Sequence, residues 1–449
     1  MDYIPARYRP TLCKRTSASR RLSVMVVISD INQLDLAALL RPGDRLVVGQ
    51  LTAEPVALLQ QLCRTHLPSG LTMFIGAHTS GVLHELDGVH LVSYGAMFAN
   101  APLVRAGKLA IYPLLYSDLP EAVSNGVFQA DVVLMQVAQC SQGGGLFWSA
   151  AHDYMADACA KARLVVAVCN RQAPVVMGAA VPVDLRIDYL VHTDTALQTF
   201  TAPTAGAIEL QIASHVASLI DDGCTLQTGI GSVPDAVLGC LTEHRDLGIH
   251  SGVIGDAVQR LIETGVVNNA RKSFDAGITV TGSLMGTRRL YEWAHHNSSL
   301  RLAPITYTHA SSVLCRLHHP VAVNGGLQVD LFGQVNAETA GARYIGGMGG
   351  LADFVRGVRK APRGKSVIGL RSTVRASASA PDQIGISTVV SKLNGPATLG
   401  VADADIVVTE WGVAYLRNLS LRERMAAMIA VANPAHREML SAESRQLAV

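Results

Sequence analysis

One repeating pattern constrains this chain more than any other: a short apolar run, a turn of glycine, proline or polar residues, then a helical stretch. The runs at 45–49, 71–75, 89–92, 109–112, 132–136 and 164–168 follow it. So do those at 280–284, 367–370, 388–390 and 406–408. Strands of a parallel sheet covered on both faces read this way, so the expected fold class is α/β. The composition agrees: 49% of residues are apolar and only 16% charged, with 40 glycines, unlike a disordered or coiled-coil chain. At 449 residues the chain is too long for one core. The stretch 202–218, a loop and then a long amphipathic helix, carries it from a first domain (25–203) into a second (204–449).

The sharpest local signal is Thr225 to Asp256. Thr225, Leu226 and Gln227 read as a strand, and Gly229-Ile230-Gly231 as a turn. Ser232 is placed to cap the next helix, and Pro234 suits that helix's first turn, where its missing N–H costs nothing. Such a turn aims free backbone N–H groups at whatever lies above the strand, which suits an anion or a developing oxyanion. A second cluster, Gly346-Gly347-Met348-Gly349-Gly350, precedes an expected helix at 351–358 and lets a ligand approach the backbone closely. Asn324-Gly325-Gly326 between apolar runs at 321–323 and 327–331 predicts a hairpin turn.

In the first half, helices are expected at 34–40, 56–63 and 153–162. Glu54 lies between a strand and the helix opened by Pro55, at the strand end where open α/β sheets bind ligands. It either works there or merely complements the helix dipole. The glycine-rich loop 141–145 reads as a surface turn or a cover for substrate, and 421–440 as helical with a break at Asn433-Pro434.

Several function classes drop out. A net charge of +2 without a dominant basic stripe excludes a dedicated nucleic-acid binder. No apolar run approaches the roughly 18–20 residues that cross a bilayer. The eight cysteines (13, 63, 140, 159, 169, 224, 240, 315) show no C-x-x-C pair, which points to free thiols in a reducing cytoplasm. No metal-ligand spacing is present; His295-His296 and His318-His319 read as surface pairs. Residues 1–24 are basic and read as a disordered tail, a transit-type presequence, or a segment ahead of a start at Met25. The basic stretch Arg356, Arg359, Lys360, Arg363 and Lys365 either meets phosphates or is solvated surface charge.

Six blocks in order carry a resemblance over roughly Asp44 to Leu440: QTGIGSVPDAV (227–237), HRDLGIHS (244–251), SLMGTRRLY (283–291), VNGGLQVDLFGQVNAE (323–338), GGMGGLADFVRG (346–357) and VVTEWGVAYL (407–416). With these the chain resembles the acetyl-CoA hydrolase/4-hydroxybutyrate CoA-transferase family, class I CoA-transferases. The resemblance implies two open, mainly parallel α/β domains with the active site in the cleft between them. It implies ping-pong transfer of CoA from an acyl-CoA, such as succinyl-CoA or acetyl-CoA, to a short carboxylic acid through a glutamyl intermediate. No cofactor is bound permanently; the CoA thioester is a substrate. Carried over, CoA contacts fall on Gly229, Ile230, Gly231, Ser232, Val233, Asn324, Gly347, Gly349 and Gly350, with Gln227 and Met348 as oxyanion or supporting groups. A cytoplasmic homo-oligomer is implied, with small molecules rather than nucleic acid or membrane as partners.

The departure is at 252. The family pattern places its nucleophilic glutamate after G-I-H-S, where this chain has Gly252. Three readings follow. Another carboxylate has taken over, with Glu54 first and Glu338 and Glu410 as rivals, in a subgroup that resembles itaconate or butyrate CoA-transferases. Alternatively, the protein hydrolyses acyl-CoA, with Glu54 as general base. The third reading is an inactive CoA-binding paralogue.

Overall fold

A computed structural model describes residues 25–140, 144–374 and 385–447; the basic tail and most of the 141–145 loop lie outside these. Nine strands from the first half make one sheet: β1 (Val26–Ile28), β2 (Arg45–Val48), β3 (Thr72–Phe74), β4 (His90–Ser93), β5 (Leu109–Ile111), β6 (Val132–Gln139), β7 (Leu146–Trp148), β8 (Leu164–Asn170) and β9 (Tyr189–Thr193). Their order is β1-β9-β8-β6-β2-β3-β4-β5, parallel throughout, with β7 alone running antiparallel on β6. Residues from 225 onward build an eight-stranded sheet from β10 (Thr225–Thr228), β11 (Gly248–Ile254), β12 (Thr279–Leu284), β13 (Leu300–Leu302), β14 (Pro320–Gly325) and the strands Lys365–Gly369, Ile406–Thr409 and Gly412–Tyr415. Only the last strand of that sheet is antiparallel. The fold is therefore α/β with large, mainly parallel sheets, as the apolar runs required.

Each sheet reverses its strand order once, between β6 and β2 in the first and between β10 and β14 in the second. At such a point neighbouring loops leave in opposite directions and open a crevice beyond the carboxyl ends of the strands. The glycine turn after β10 and Asn324 near the end of β14 flank the second reversal. Glu54 follows β2, beside the first.

Local expectations failed where non-local pairing was stronger. Asn324-Gly325-Gly326 makes no hairpin: β14 pairs in parallel with β10 and Lys365–Gly369, while Gln328–Asp330 joins a separate three-stranded sheet. Helix 34–40 shrinks to Leu36–Leu39, and 153–162 to Met155–Cys159. Ser232 is the first residue of the helix Ser232–Gly239 and Gly231 occupies its cap position, so no hydroxyl caps this helix. In the tail, Asn433 does break the helix, between Leu421–Val431 and Pro434–Ser444.

The two sheets share one buried apolar cluster, running from Val47 and Phe74 through Trp148 to Leu226, Ile249 and Val323. Backbone bonds also join them: His152 N donates to Gly282 O (3.0 Å), Leu284 N to Ala150 O (2.8 Å) and Ala96 N to Gly346 O (2.7 Å). Beneath this joint lies a buried polar chain. Tyr94 OH donates to Gln50 Oε1 (3.1 Å), Gln50 Nε2 to Tyr116 OH (2.7 Å), and Tyr116 OH to Asp153 Oδ1 (2.9 Å). Asp153 Oδ2 has no hydrogen-bond partner among the described residues, and the residue has a positive φ of 45°. Burial pushes the Asp153 carboxyl up to about 7, against the opposing pull of the Tyr116 hydroxyl and the nearby Gln50 amide.

Two outcomes follow. Gly357 lies in the helix Leu351–Arg359, and a Cβ there would come within 2.6 Å of Leu314 Cβ. Gly357→Ala gains about 1 kcal/mol of helix propensity but incurs an over-packing cost of about 1–3 kcal/mol, so urea unfolding should show a net loss of stability. Asp153 binds a proton more tightly folded than unfolded, so its contribution to stability is complete below pH ~4 and is lost as pH rises toward about 7. Asp153→Asn cannot ionise, and its unfolding midpoint should fall less than the wild type's between roughly pH 5 and pH 8.

Candidate active site

The site is organised by the carboxyl end of β11, where Gly252 and, just past the strand, Gly255 put no side chain between the flanking segments. On one side is the glycine turn: a Cβ built on Gly255 would lie 3.8 Å from Ile230 Cγ2, and Ser251 Oγ donates to Thr228 O (2.9 Å). On the other is the second glycine cluster. Cβ atoms built on Gly252 and on Gly350 would both strike the His309 ring, at 2.8 Å from Cε1 and Nε2 for Gly252 and 2.6 Å from Cδ2 for Gly350. The structure thus brings both predicted glycine segments to one strand end.

The glycines there meet different demands. Gly231 has φ +125° with open space where a Cβ would stand, so its conformation is what requires glycine. The residues Gly229, Ile230, Gly231, Ser232 and Val233 are all half-buried, leaving the turn reachable. The N–H groups of Ser232 and Val233 have no backbone acceptor among the described residues. Gly347 instead answers to close packing: it bridges Gly95 of the first half, and a Cβ would lie 2.7 Å from Met97 Sδ and 3.0 Å from Gly95 Cα. Gly349 has φ +49°, and its carbonyl accepts from Tyr116 N (3.3 Å). Much of this second cluster therefore serves to seat the two halves against each other. Met348 is half-buried, and its carbonyl accepts from Leu351 N (3.2 Å).

Across the strand-order reversal, Gln227 and Asn324 bond each other reciprocally: Asn324 Nδ2 donates to Gln227 Oε1 (3.0 Å) and Gln227 Nε2 to Asn324 Oδ1 (3.3 Å). Each amide keeps one donor hydrogen beyond that pair. A pocket of about 410 Å³ opens beside Ser232, lined also by Asp235, Asp256, Arg260, Thr287 and Arg289. It adjoins the start of the helix after the glycine turn and does not include Gly252 or His309.

The carboxylates weighed from sequence are already engaged. Glu54 is buried; Oε1 accepts from Thr79 N and from Thr79 Oγ1 (2.9 Å), while Oε2 accepts from Ser80 N (3.2 Å) and lies 3.1 Å from His78 Nδ1. A carboxylate offers about four lone-pair positions, so these contacts use them all and tie the 78–80 loop to the end of β2. Glu338 accepts from Tyr344 OH and Thr398 Oγ1, and Glu410 from Ser372 N and Oγ, each on both oxygens.

The basic stretch is spent largely on the protein itself. Arg356 pairs with Asp403 (3.0 Å), Arg359 reaches Ala402 O, and Arg363 and Lys365 converge on Asp221. Asp221, Cys224 and His319 do approach one another, but Lys365 and Arg363 already neutralise that carboxylate. Of the other histidines, His295 Nδ1 accepts from Val175 N (3.1 Å), a structural tie.

Sequence reasoning did not single out His309. It follows a four-residue helix, Ile305–Thr308, and is buried between Tyr116 (centroids 4.6 Å apart) and Phe354 (4.6 Å). Burial, helped by nearby His250, lowers its pKa to about 3, so the ring is neutral. The signal that could have found it is Gly252 itself, because a vacated side-chain position in a close-packed site must be filled by something.

Comparison with known proteins agrees with this architecture. Residues 286–444 match the acetyl-CoA hydrolase/transferase C-terminal domain. The chain is 34% identical over 409 residues to the 4-hydroxybutyrate coenzyme A transferase of Clostridium kluyveri, covering 90% of this chain and 94% of that one. It is 30% identical over 420 residues to the succinyl-CoA:cyclohexane-1-carboxylate CoA transferase of Geobacter metallireducens, covering 92% and 94%. The crystal structure of RipA from Yersinia pestis superposes with a TM-score of 0.83 at 26% identity, over 91% of this chain and 95% of that one. With a relative this similar along nine-tenths of its length, the chain belongs to the acetyl-CoA hydrolase/CoA-transferase family.

Proposed function

We propose that the protein transfers CoA between an acyl-CoA and a short carboxylic acid. One observation carries the reading: the open glycine turn after β10 and the glycine cluster at 346–350 meet on either side of one strand end, where two sheets join. That arrangement supports a thioester laid along backbone, with N–H groups of the turn near its anionic parts. The relatives support the same class of reaction, since one is named for coenzyme A transfer with 4-hydroxybutyrate and the other pairs succinyl-CoA with cyclohexane-1-carboxylate. Succinyl-CoA or acetyl-CoA as donor, and itaconate or a butyrate-like acid as acceptor, are the substrates proposed from the sequence resemblance.

The first step is attack of a carboxylate on the thioester carbonyl. Carboxylates are weak nucleophiles in water, so the site must desolvate the attacking group and stabilise the oxyanion. As that nucleophile, Glu54 would first have to give up its bonds from Thr79 and Ser80. In the resting arrangement it supports the site by fixing the loop after β3. Hydrolysis is the second reading, because Gly252 supplies no carboxylate where the family pattern places its glutamate.

Incubation with acyl-CoA, with and without succinate, itaconate, acetate or butyrate, separates the readings by chromatography of the CoA species. Acceptor-dependent formation of a new acyl-CoA is expected. Release of free CoA without acceptor would favour hydrolysis, and neither product would leave only binding. Gly231→Ala must hold a side chain at φ +125°, a strain of order 1–3 kcal/mol. The KM for acyl-CoA should therefore rise roughly 5- to 100-fold, with less change in the KM for the acid.

A further inference from the structure

We propose that Asp221, Cys224 and His319 form a binding site for a divalent metal ion such as zinc, at the end of the second sheet opposite the glycine turn. The site is independent of the transfer reading above, and its test does not read activity.

The register of the sheet builds the site. β10 and β14 run parallel with Thr225 opposite Pro320, so the residues just before them, Cys224 and His319, are neighbours as well. Thr225 N donates to His319 O (3.2 Å), which fixes that pairing at the strand starts. Asp221 comes from the turn that leads into β10, where Cys224 N donates to Asp221 O (3.2 Å). All three therefore stand at the amino ends of adjacent strands, whereas the glycine turn leaves the carboxyl end of β10. One nitrogen, one sulfur and one oxygen converge there, all within 4.8 Å of one another. Tetrahedral zinc holds such ligands about 3.3–3.7 Å apart, so a closing of about 1 Å completes three of its four positions. The half-exposed flank of Asp221 leaves the fourth to water.

Two observations set this cluster apart from a chance meeting of side chains. His319, expected at the surface, is only 3% exposed, and its Nε2 has no hydrogen-bond partner among the described residues. That nitrogen nevertheless lies 3.1 Å from Asp221 Oδ2, aimed into the cluster. The backbone of His319 is also held at φ +50°, a conformation that residues with a Cβ seldom adopt and that neighbours must enforce. Here the enforcing bonds are His319 N on Pro362 O (3.1 Å) and Thr225 N on His319 O, so the ring cannot swing away from Asp221 and Cys224 without breaking them.

The donor set fits zinc and its spectroscopic stand-in cobalt, since calcium and magnesium take oxygen ligands. Burial, with Arg363 nearby, lowers the His319 pKa, so the ring is neutral and offers a lone pair. Burial opposes ionisation of Asp221, but Lys365, His319 and Arg363 outweigh it and hold that carboxyl below its usual range. Burial keeps the Cys224 thiol protonated, and coordination removes that proton: the S–H bond breaks, its electron pair goes to the metal, and the proton leaves to solvent. Lys365 (3.3 Å) and Arg363 (3.7 Å) stand in for the ion at rest, both on Asp221 Oδ2. The Arg363 side chain is 64% exposed and free to withdraw into water, while Lys365 keeps its bond to Leu219 O (2.7 Å). Thiolate and carboxylate together cancel the charge of the bound ion, so both cations then face a neutral centre.

The test is a titration of the chelator-treated full-length protein with Co²⁺ and then Zn²⁺, on wild type, Cys224→Ser, His319→Asn and Arg363→Asn. A cobalt–thiolate absorption band that saturates at one ion per chain is expected, and zinc should abolish it. Cys224→Ser removes the thiolate and should erase the band. Asparagine tolerates a positive φ, so His319→Asn keeps the backbone and should weaken binding by more than roughly 100-fold. Arg363 also has a positive φ, of 56°. Arg363→Asn removes a competing charge and should tighten binding severalfold. Absence of a thiolate band in the wild type would overturn the proposal. So would a band that survives Cys224→Ser, which would place the ion on another cysteine, unchanged affinity in His319→Asn, or weaker binding in Arg363→Asn. Should Cys224→Ser fail to fold, the histidine and arginine variants still decide.

Discussion

A single imidazole wedged between two α-carbons holds this site in shape. His309 touches Gly252 at the end of β11 and Gly350 at the start of the helix Leu351–Arg359, and its faces are closed by Tyr116 from the first half and Phe354 from the second. Tyr116 in turn reaches Asp153 and Gln50. The contact couples the strand end, the glycine cluster and the buried polar chain under the joint. Such couplings are steep because packed interiors do not deform continuously: one methyl at 252 or 350 would move the ring, and the ring would move the tyrosine.

The joint around it is built mostly from backbone. Ala96 N on Gly346 O, Tyr116 N on Gly349 O and the bridge from Gly95 to Gly347 bring main chains together where side chains would keep them apart. Ser117 adds a fourth tie, donating from N and Oγ to Asp353 (3.0 and 2.7 Å). Five residues dense in glycine look like a ligand cradle when read alone. In place, they divide between fastening the halves and facing the strand end. By contrast, the turn after β10 has open space around Gly231, so its glycine answers to φ and to access.

Glu54 shows how a correct position can accompany a different duty. The strand–loop–proline–helix order located it at the carboxyl end of β2, beside the point where the strand order of its sheet reverses. Its chemistry depends on what meets the carboxylate, and Thr79, Ser80 and His78 are more than 20 residues away in the chain. The helix expected from 153 is a similar case. Its first residue is instead held at positive φ, with its side chain on Tyr116 and its carbonyl on Ile305 N, so the helix starts at Met155.

What the sequence settled by itself was whatever depends on neighbours in the chain: apolar runs of strand length, turns where glycine or proline interrupts them, the glycine turn opening a helix, and the blocks that carry the family resemblance. It also exposed the missing side chain at 252. Contacts between distant segments were decided only by the tertiary structure. Asn324-Gly325-Gly326 has hairpin chemistry, yet β14 became a central strand because pairing with β10 and Lys365–Gly369 buries it. His309 lies 57 positions beyond Gly252, in a polar stretch with no periodicity to mark it. Only the packing of Ile305–Thr308 against β11 and β12 brings that ring into the vacancy, because a close-packed interior fills a gap from whichever segment the topology supplies.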